Sequence, residues 1–226
     1  MAPLDWQPLV VSLRLGLWVV GLLLVVCLPL SWLFARSRGR WVLWVESLFS
    51  LGLVLPPTVL GFYLLVFLSP LSPLGSWLES SFGLRLVFSF PGLVLASCVA
   101  GLPFMLAPLA TGIRGIPEAL LEASWTLGKG RLETFVRIVL PQLRPSLLAG
   151  AITTFAHTMG EFGVVLMIGG SIPGVTKVIS IAIYERTEAQ DFAQAHVYAA
   201  VLLVVSYCGV VLLGRLGHRP RRDKSL

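Results

Sequence analysis

The 226-residue chain has few charged side chains: Asp, Glu, Lys and Arg make up 12% of it, while 56% is hydrophobic. A soluble domain of ordinary composition has about 25% charged residues. This shortage, with a mean hydropathy of +0.88, argues against a soluble globular protein and indicates that lipid is the solvent. The net charge of +6 is explained below by membrane topology, so nucleic acid is not an expected partner.

Cysteine is also scarce, and residues suited to catalysis are not grouped. Cys27, Cys98 and Cys208 fall in apolar stretches without the spacing of metal ligands. Residues 127–130 read Leu-Gly-Lys-Gly, which lacks the glycine spacing of a phosphate-binding loop. We therefore expect no catalytic residue, no metal, no cofactor and no ATP hydrolysis by this chain.

Long stretches without any charged residue predict membrane-spanning helices. Such stretches cover residues 15–35, 47–78, 86–113 and 192–214. A shorter one, 145–160, continues past Glu161 through 162–168. A helix needs roughly 20 apolar residues to cross a bilayer core, and continuous runs are unlike the alternating strands of a barrel. The sequence predicts an all-α integral membrane protein with five transmembrane helices.

The basic residues are unevenly distributed between these runs. Three follow the first run, five lie between the third and fourth predicted helices, and five close the chain: Arg36, Arg38, Arg40, Arg114, Lys129, Arg131, Arg137, Arg144, Arg215, Arg219, Arg221, Arg222 and Lys224. Only Arg14, Arg85, Lys177 and Arg186 fall on the other side. The positive-inside rule places the larger set in the cytoplasm, which predicts an outer N-terminus and an inner C-terminus.

The inner segment 111–140 has the pattern of a helical hairpin. Pro117 and Glu118 suit a helix start, and Gly128 suits its end. An apolar face is predicted from Leu120, Leu121, Ser124, Trp125 and Leu127. A second helix is predicted from Leu132, Phe135, Val136 and Val139, with a Glu133–Arg137 pair. These patterns fit a docking element and a structural connector equally well.

The spacing within this hairpin matches a known motif. Glu122-Ala123, Gly128, Ile138, Leu140 and Pro141 resemble the EAA motif of bacterial ABC importer permeases. Ser124 departs from it, since the family commonly has a second alanine there. The resemblance implies the type I importer permease core over residues 12–214 and a basic cytoplasmic tail at 215–226. It also implies a coupling helix seated on an ATPase, with these residues at or near the contact: Glu118, Glu122, Ala123, Ser124, Gly128, Ile138, Leu140 and Pro141.

Three further segments resemble permeases for molybdate: residues 53–63, 160–163 and 172–176. The resemblance implies ATP-driven import of molybdate across the bacterial cytoplasmic membrane, with tungstate, sulfate or thiosulfate as alternatives. It implies a homodimer of this chain, two cytoplasmic ATPase subunits and an extracytoplasmic binding protein that delivers the oxyanion. A membrane-embedded enzyme and an ion-driven carrier are weaker alternatives, because the sequence shows neither a nucleophile beside His157 and Glu161 nor repeated halves.

A polar stripe marks a candidate translocation path. Thr154, His157, Thr158 and Glu161 share one face of the fourth predicted helix at i, i+3, i+4 and i+7. Polar groups in a membrane helix face a protein interior or water, so interhelical hydrogen bonding is the alternative. A carboxylate would repel a dianion, so we expect Glu161 to hydrogen-bond His157 or backbone. At the remaining candidates, Pro56, Pro57 and Thr58, the prolines predict either a kink or a gate.

Overall fold

The computed structural model describes residues 4–37 and 39–217, and within them every regular element is helical. Arg38 and the predicted basic tail from residue 218 onward lie outside the described residues. The elements are α1 Gln7–Arg36, α2 Trp41–Val54, α3 Pro57–Leu68, α4 Pro73–Phe82, α5 Phe90–Arg114, α6 Glu118–Thr126, α7 Arg131–Thr134, a π-helical turn Phe135–Val139, α8 Leu140–Gln142, α9 Arg144–Gly160, α10 Gly163–Gly169, α11 Ile179–Glu188 and α12 Phe192–Gly217.

Three of the described helices, α1, α5 and α12, are long and apolar enough to cross a membrane unbroken. Two further crossings are formed only if bent pairs count as single spans. The axis bends by 113° between α2 and α3, and by 66° between Arg131–Gln142 and α9. The prediction of five spans is therefore confirmed only as an upper count.

Two of the predicted spans are not continuous helices, so the prediction was wrong on this point. The run 47–78 divides into α2, α3 and the start of α4, because Pro57 lacks a backbone N–H and Leu55 before Pro56 is extended. The run through Glu161 is also interrupted, since Glu161 has ψ 131° and α10 starts anew at Gly163. The run 47–78 ends within α4, whose N-terminus Ser72 caps by accepting from Gly75 N at 2.9 Å.

The core is the packing of α1, α5 and α9 against one another. Leu15, Val19 and Leu23 of α1 are almost fully buried. At Gly101 of α5 a Cβ would lie 3.3 Å from Leu23 and 3.4 Å from Thr154 of α9. Between helices in lipid the hydrophobic effect adds little, so close packing of small residues has to supply the association.

The two ends of this bundle differ. At one end, the C-terminal ends of α1 and α5 meet the start of α9 in a cluster that includes Trp32, Ile113 and Leu143. We call this the hairpin end, because α6 and α7 lie there. At the opposite end, Tyr198 of α12 donates to Asp5 O at 2.6 Å. Helix α11 lies at that end, and its Ile179 N donates to Ser12 of α1 at 2.8 Å.

The contact between α3 and α10 generates a stability prediction. A Cβ at Gly61 would lie 2.9 Å from Met167 Cβ and 3.0 Å from Val164 Cα. We expect Gly61→Val to cost about 1–3 kcal/mol of stability through overpacking, seen as a lower Tm of the purified protein. Gly21→Val is the matched control, because nothing lies within 4 Å of a Cβ there. Equal Tm values for the two variants would contradict the α3–α10 packing.

Candidate coupling hairpin and translocation path

The hairpin starts and turns where the sequence predicts. Pro117 is the N-cap of α6 and Glu118 lies in its first turn, where a carboxylate complements the positive helix end. After Thr126 the chain turns at Gly128, whose φ of +76° favours glycine. Lys129 N donates to Ser124 O at 3.1 Å, which satisfies a carbonyl at the end of the helix.

The predicted coupling residues of α6 are divided between surface and interior. Glu118, Glu122, Ala123 and Gly128 are exposed. Ser124, in contrast, is 3% exposed, and its hydroxyl shares a hydrogen bond of 2.6 Å with the hydroxyl of Thr134. The departure from a second alanine therefore has a structural consequence: it ties α6 to α7.

The second arm of the hairpin is less regular than predicted. The second helix predicted from residues 132–139 is present within the helical segment Arg131–Gln142, but Phe135–Val139 within it is a π-helical turn. Ile138 and Leu140 are half-buried and Pro141 is exposed. The predicted pairing of Glu133 with Arg137 is confirmed at 3.4 Å, and Lys129 also donates to Glu133 at 2.7 Å. The hydrogen bond from Lys129 lowers the pKa of the Glu133 carboxyl.

A buried cluster attaches the hairpin to the membrane helices. Leu121 of α6 and Val139 of the second arm are buried against Ile113, Ile116 and Leu143. Ile113 belongs to α5, and Leu143 directly precedes α9. The hairpin is therefore packed directly against the end of α5 and the start of α9.

Part of the predicted apolar face of α6 points outward. Trp125 and Leu127 are 48% and 79% exposed, and Leu132 of α7 is 76% exposed. Trp125 and Leu132 line a cavity of about 580 Å³ that reaches Trp32 and Arg36 of α1. Of the five residues of the predicted apolar face, only Leu121 and Ser124 are buried. What remains exposed is an apolar surface on the hairpin.

An ion pair fixes the hairpin to α1 as well. Arg36 lies 3.7 Å from Glu118 and places its guanidinium 5.1 Å from the Trp32 ring centre. On the neighbouring side of α5, Arg114 pairs with Glu46 of α2. Both pairs involve arginines at helix C-termini, where a positive charge is favourable.

The two interruptions of the membrane helices lie in contact. Pro56 is the N-cap of α3, Pro57 is its first residue, and Thr58 follows. A Cβ at Gly163, the first residue of α10, would lie 3.0 Å from Thr58 N and 3.1 Å from Pro57 Cβ. The candidates around Pro57 are thus brought to the break that follows Glu161, a proximity that the sequence does not reveal.

The polar stripe of α9 faces α5 inside the protomer. Thr154 is fully buried and Thr158 is 3% exposed, and Thr158 donates to the Thr154 carbonyl at 3.0 Å. His157 is half-buried and stacks on Phe104, with 4.1 Å between ring centres. Thr154 Oγ1, His157 Nε2 and Glu161 Oε1 are buried without a hydrogen-bond partner among the described residues.

Glu161 has a different partner from the one predicted. Ser97 of α5 donates to Glu161 Oε2 at 2.6 Å, and Ser180 of α11 donates to the Glu161 carbonyl at 2.6 Å. The expectation that the Glu161 side chain bonds His157 or backbone was wrong, because the carboxylate accepts from Ser97 instead and His157 stacks on Phe104. Ser97 and Ser180 were missed because a single serine in an apolar run gives no signal of its partner.

Comparison with known proteins agrees with this architecture. The family described as "Binding-protein-dependent transport system inner membrane component" matches residues 27–222. The Molybdenum transport system permease protein ModB of Azotobacter vinelandii is 44% identical over 204 residues, 90% of each chain. The Probable sulfate transport system permease protein cysT of Anthoceros angustus is 30% identical over 84% of this chain and 65% of that protein.

A solved structure shows the same fold. It is a bacterial alginate ABC transporter in complex with an alginate pentasaccharide-bound periplasmic protein. The TM-score is 0.65, and the match covers 95% of this chain and 79% of that chain at 19% identity. With the family match over most of its length, the chain belongs to the inner membrane components of binding-protein-dependent transport systems.

Proposed function

We propose that this chain is the permease subunit of an ATP-driven importer that moves molybdate across the cytoplasmic membrane. Two copies of residues 12–214 form the transmembrane unit, two separate ATPase subunits drive it, and an extracytoplasmic binding protein delivers the oxyanion. The observation that carries the substrate is the likeness to the Azotobacter vinelandii molybdenum permease, which exceeds the likeness to the sulfate permease in both identity and shared length.

ATP hydrolysis in the reconstituted complex tests this proposal. We expect binding protein loaded with molybdate to stimulate hydrolysis by proteoliposomes that contain the permease and its ATPase. The same protein loaded with sulfate is expected to stimulate less, and empty binding protein is the control. Stimulation by sulfate-loaded binding protein alone would identify sulfate, rather than molybdate, as the substrate. The absence of stimulation by any oxyanion would contradict the proposal.

Force enters, in this proposal, through the exposed turn from Glu122 to Gly128. Ala123 permits close approach of the ATPase, Glu122 offers a carboxylate to basic groups, and the exposed Trp125 and Leu127 supply apolar contact area. The Ser124–Thr134 hydrogen bond makes the two arms move together. The buried cluster around Leu121 then passes the motion to α5 and α9.

Substitutions at two glycines of the turn can distinguish a role in ATPase coupling from a general effect on folding. Gly128 has φ +76°, whereas Gly130 has φ −70°, and a Cβ at either position would contact nothing within 4 Å. We expect Gly128→Val to strain the turn, because a β-branched residue rarely adopts positive φ. Gly130→Val retains an allowed conformation and is the control.

The measurement is ATPase co-purification with the permease and oxyanion-stimulated hydrolysis. Gly128→Val is expected to reduce both by at least about tenfold, the effect of roughly 1.4 kcal/mol, while membrane insertion persists. Equal activity of the Gly128 and Gly130 variants would remove the turn from the coupling interface.

Orientation is tested by labelling single cysteines in a cysteine-free background. Leu127 is 79% exposed at the hairpin end, and Leu71 is 97% exposed between α3 and α4. The bias of basic residues toward the hairpin end predicts that this end is cytoplasmic. We expect Leu71→Cys to react with an impermeant thiol reagent in intact spheroplasts and Leu127→Cys only in inverted vesicles. The reverse labelling pattern would show that the hairpin end faces outward and that the predicted orientation is wrong.

The path is proposed to run along the stripe of α9, with the breaks near Pro57 and Glu161 as its gate. The support is that three stripe residues each bury a polar atom that has no partner in the described part of the chain, which is costly where water is excluded. Such atoms are satisfied if the stripe is hydrated in another state of the cycle. Hydroxyls of Thr154 and Thr158 then give a passing dianion transient hydrogen bonds.

Cysteine labelling during the ATPase cycle tests the path. Thr154 is fully buried here, so we expect Thr154→Cys to react with a water-soluble thiol reagent only when nucleotide switches the complex. Met159→Cys is the control, because Met159 packs against Ile179 and Tyr198 on the other face of α9. If Thr154→Cys never reacts, or Met159→Cys reacts equally, the stripe is interhelical packing alone.

A further inference from the structure

One arginine lies on the outer surface of a membrane helix without an acidic partner. Arg14 of α1 is exposed, and its guanidinium lies 4.6 Å from the centre of the Phe90 ring. No ion pair or hydrogen bond joins Arg14 to any described side chain. A cation in lipid is costly unless an anion or water reaches it.

Arg14 is placed at the edge of the membrane rather than in its middle. Phe90 is the first residue of α5, so Arg14 is level with the start of that helix. Trp18, one turn further along α1, is 53% exposed, and tryptophan is typical of the boundary between headgroups and acyl chains. Arg14 is therefore positioned at headgroup depth.

An apolar groove runs inward from this arginine between α1 and α5. It has a volume of about 460 Å³ and is lined by Arg14, Trp18, Leu22, Phe90, Pro91, Val94, Leu95 and Cys98. From Arg14 to Leu22 the helix rises about 12 Å at 1.5 Å per residue. The groove thus has a single cation at its mouth and apolar walls along its length.

We propose that this groove binds an anionic phospholipid, with the phosphate on Arg14 and an acyl chain between α1 and α5. The groove has a positive charge at its mouth and apolar walls further in, and a phospholipid has the matching order of a charged headgroup followed by an apolar chain. Guanidinium is the side chain best suited to phosphate, since its N–H groups form a planar fork.

A second copy of this chain is a poorer occupant. To neutralise Arg14 it would have to present a carboxylate from the same end of the bundle. There Glu79 is paired with Arg85, Glu185 with Lys177 and Asp191 with Arg186, and Asp5 accepts from Gln7 N. Glu188, the last residue of α11, is exposed and is the carboxylate that a second copy could offer. A lipid phosphate reaches Arg14 without breaking any of these contacts.

Native mass spectrometry of the purified complex tests the site. The complex is exchanged into detergent with equal amounts of phosphatidylglycerol and phosphatidylcholine, and the retained lipid is counted. We expect wild type to retain phosphatidylglycerol preferentially, and Arg14→Gln to retain about fivefold less, the factor that one basic side chain near anionic lipid contributes. Arg14→Lys restores most of the preference, and Arg85→Gln is the matched control at the same end.

A second variant tests the contribution of the apolar groove to lipid binding independently of the charge on Arg14. Leu95 is 41% exposed in the groove wall, so Leu95→Trp is expected to fill the groove and lower lipid retention with Arg14 intact. Equal retention of both lipids by wild type, or unchanged retention in both the Arg14→Gln and Leu95→Trp variants, would overturn the proposal. Conversion of the complex to single permease chains by Arg14→Gln would show that a second copy occupies the groove. Unchanged Tm values exclude misfolding as the cause.

Discussion

The hydrogen bond from Ser97 to Glu161 is the interaction on which the membrane architecture depends. Interrupting a helix in lipid frees backbone groups that no water can satisfy. Here α5 supplies Ser97 to the Glu161 side chain, and α11 supplies Ser180 to the Glu161 carbonyl. The break is thus held by two elements that lie far from it in sequence, and α10 is placed against α3.

The same arrangement connects the two ends of the protein. α9 has 17 residues and is therefore about 25 Å long, with the hairpin cluster at its start and Glu161 at its end. In the proposed function, a movement of the hairpin would reach the Pro57–Gly163 contact through this one helix and the α5 packed beside it.

Local patterns in the sequence were sufficient to predict the hairpin, but they were insufficient to predict the interruptions of the membrane helices near Pro57 and Glu161. The start of α6, the turn at Gly128 and the Glu133–Arg137 pair depend on residues within a few positions of one another, so all three were predicted correctly. The kink at Pro56-Pro57 was predicted as one of two alternatives, because proline removes a donor, but its 113° bend was not. The break at Glu161 has no proline and rests on Ser97, which is 64 residues away. The outward position of Trp125 could not be predicted, because an apolar residue at helical spacing gives the same signal whether it faces the chain's own core or another protein.

A double-mutant cycle between Ser97 and Glu161 tests the central interaction most directly. The free energy of unfolding is measured for Ser97→Ala, Glu161→Ala and the double variant, with oxyanion-stimulated ATP hydrolysis measured on each. If the hydrogen bond holds the break, the double variant loses much less than the sum of the single losses, by at least about 0.5 kcal/mol for residues in direct contact. Strictly additive losses, with hydrolysis still stimulated in all three variants, would show that the break does not depend on this hydrogen bond.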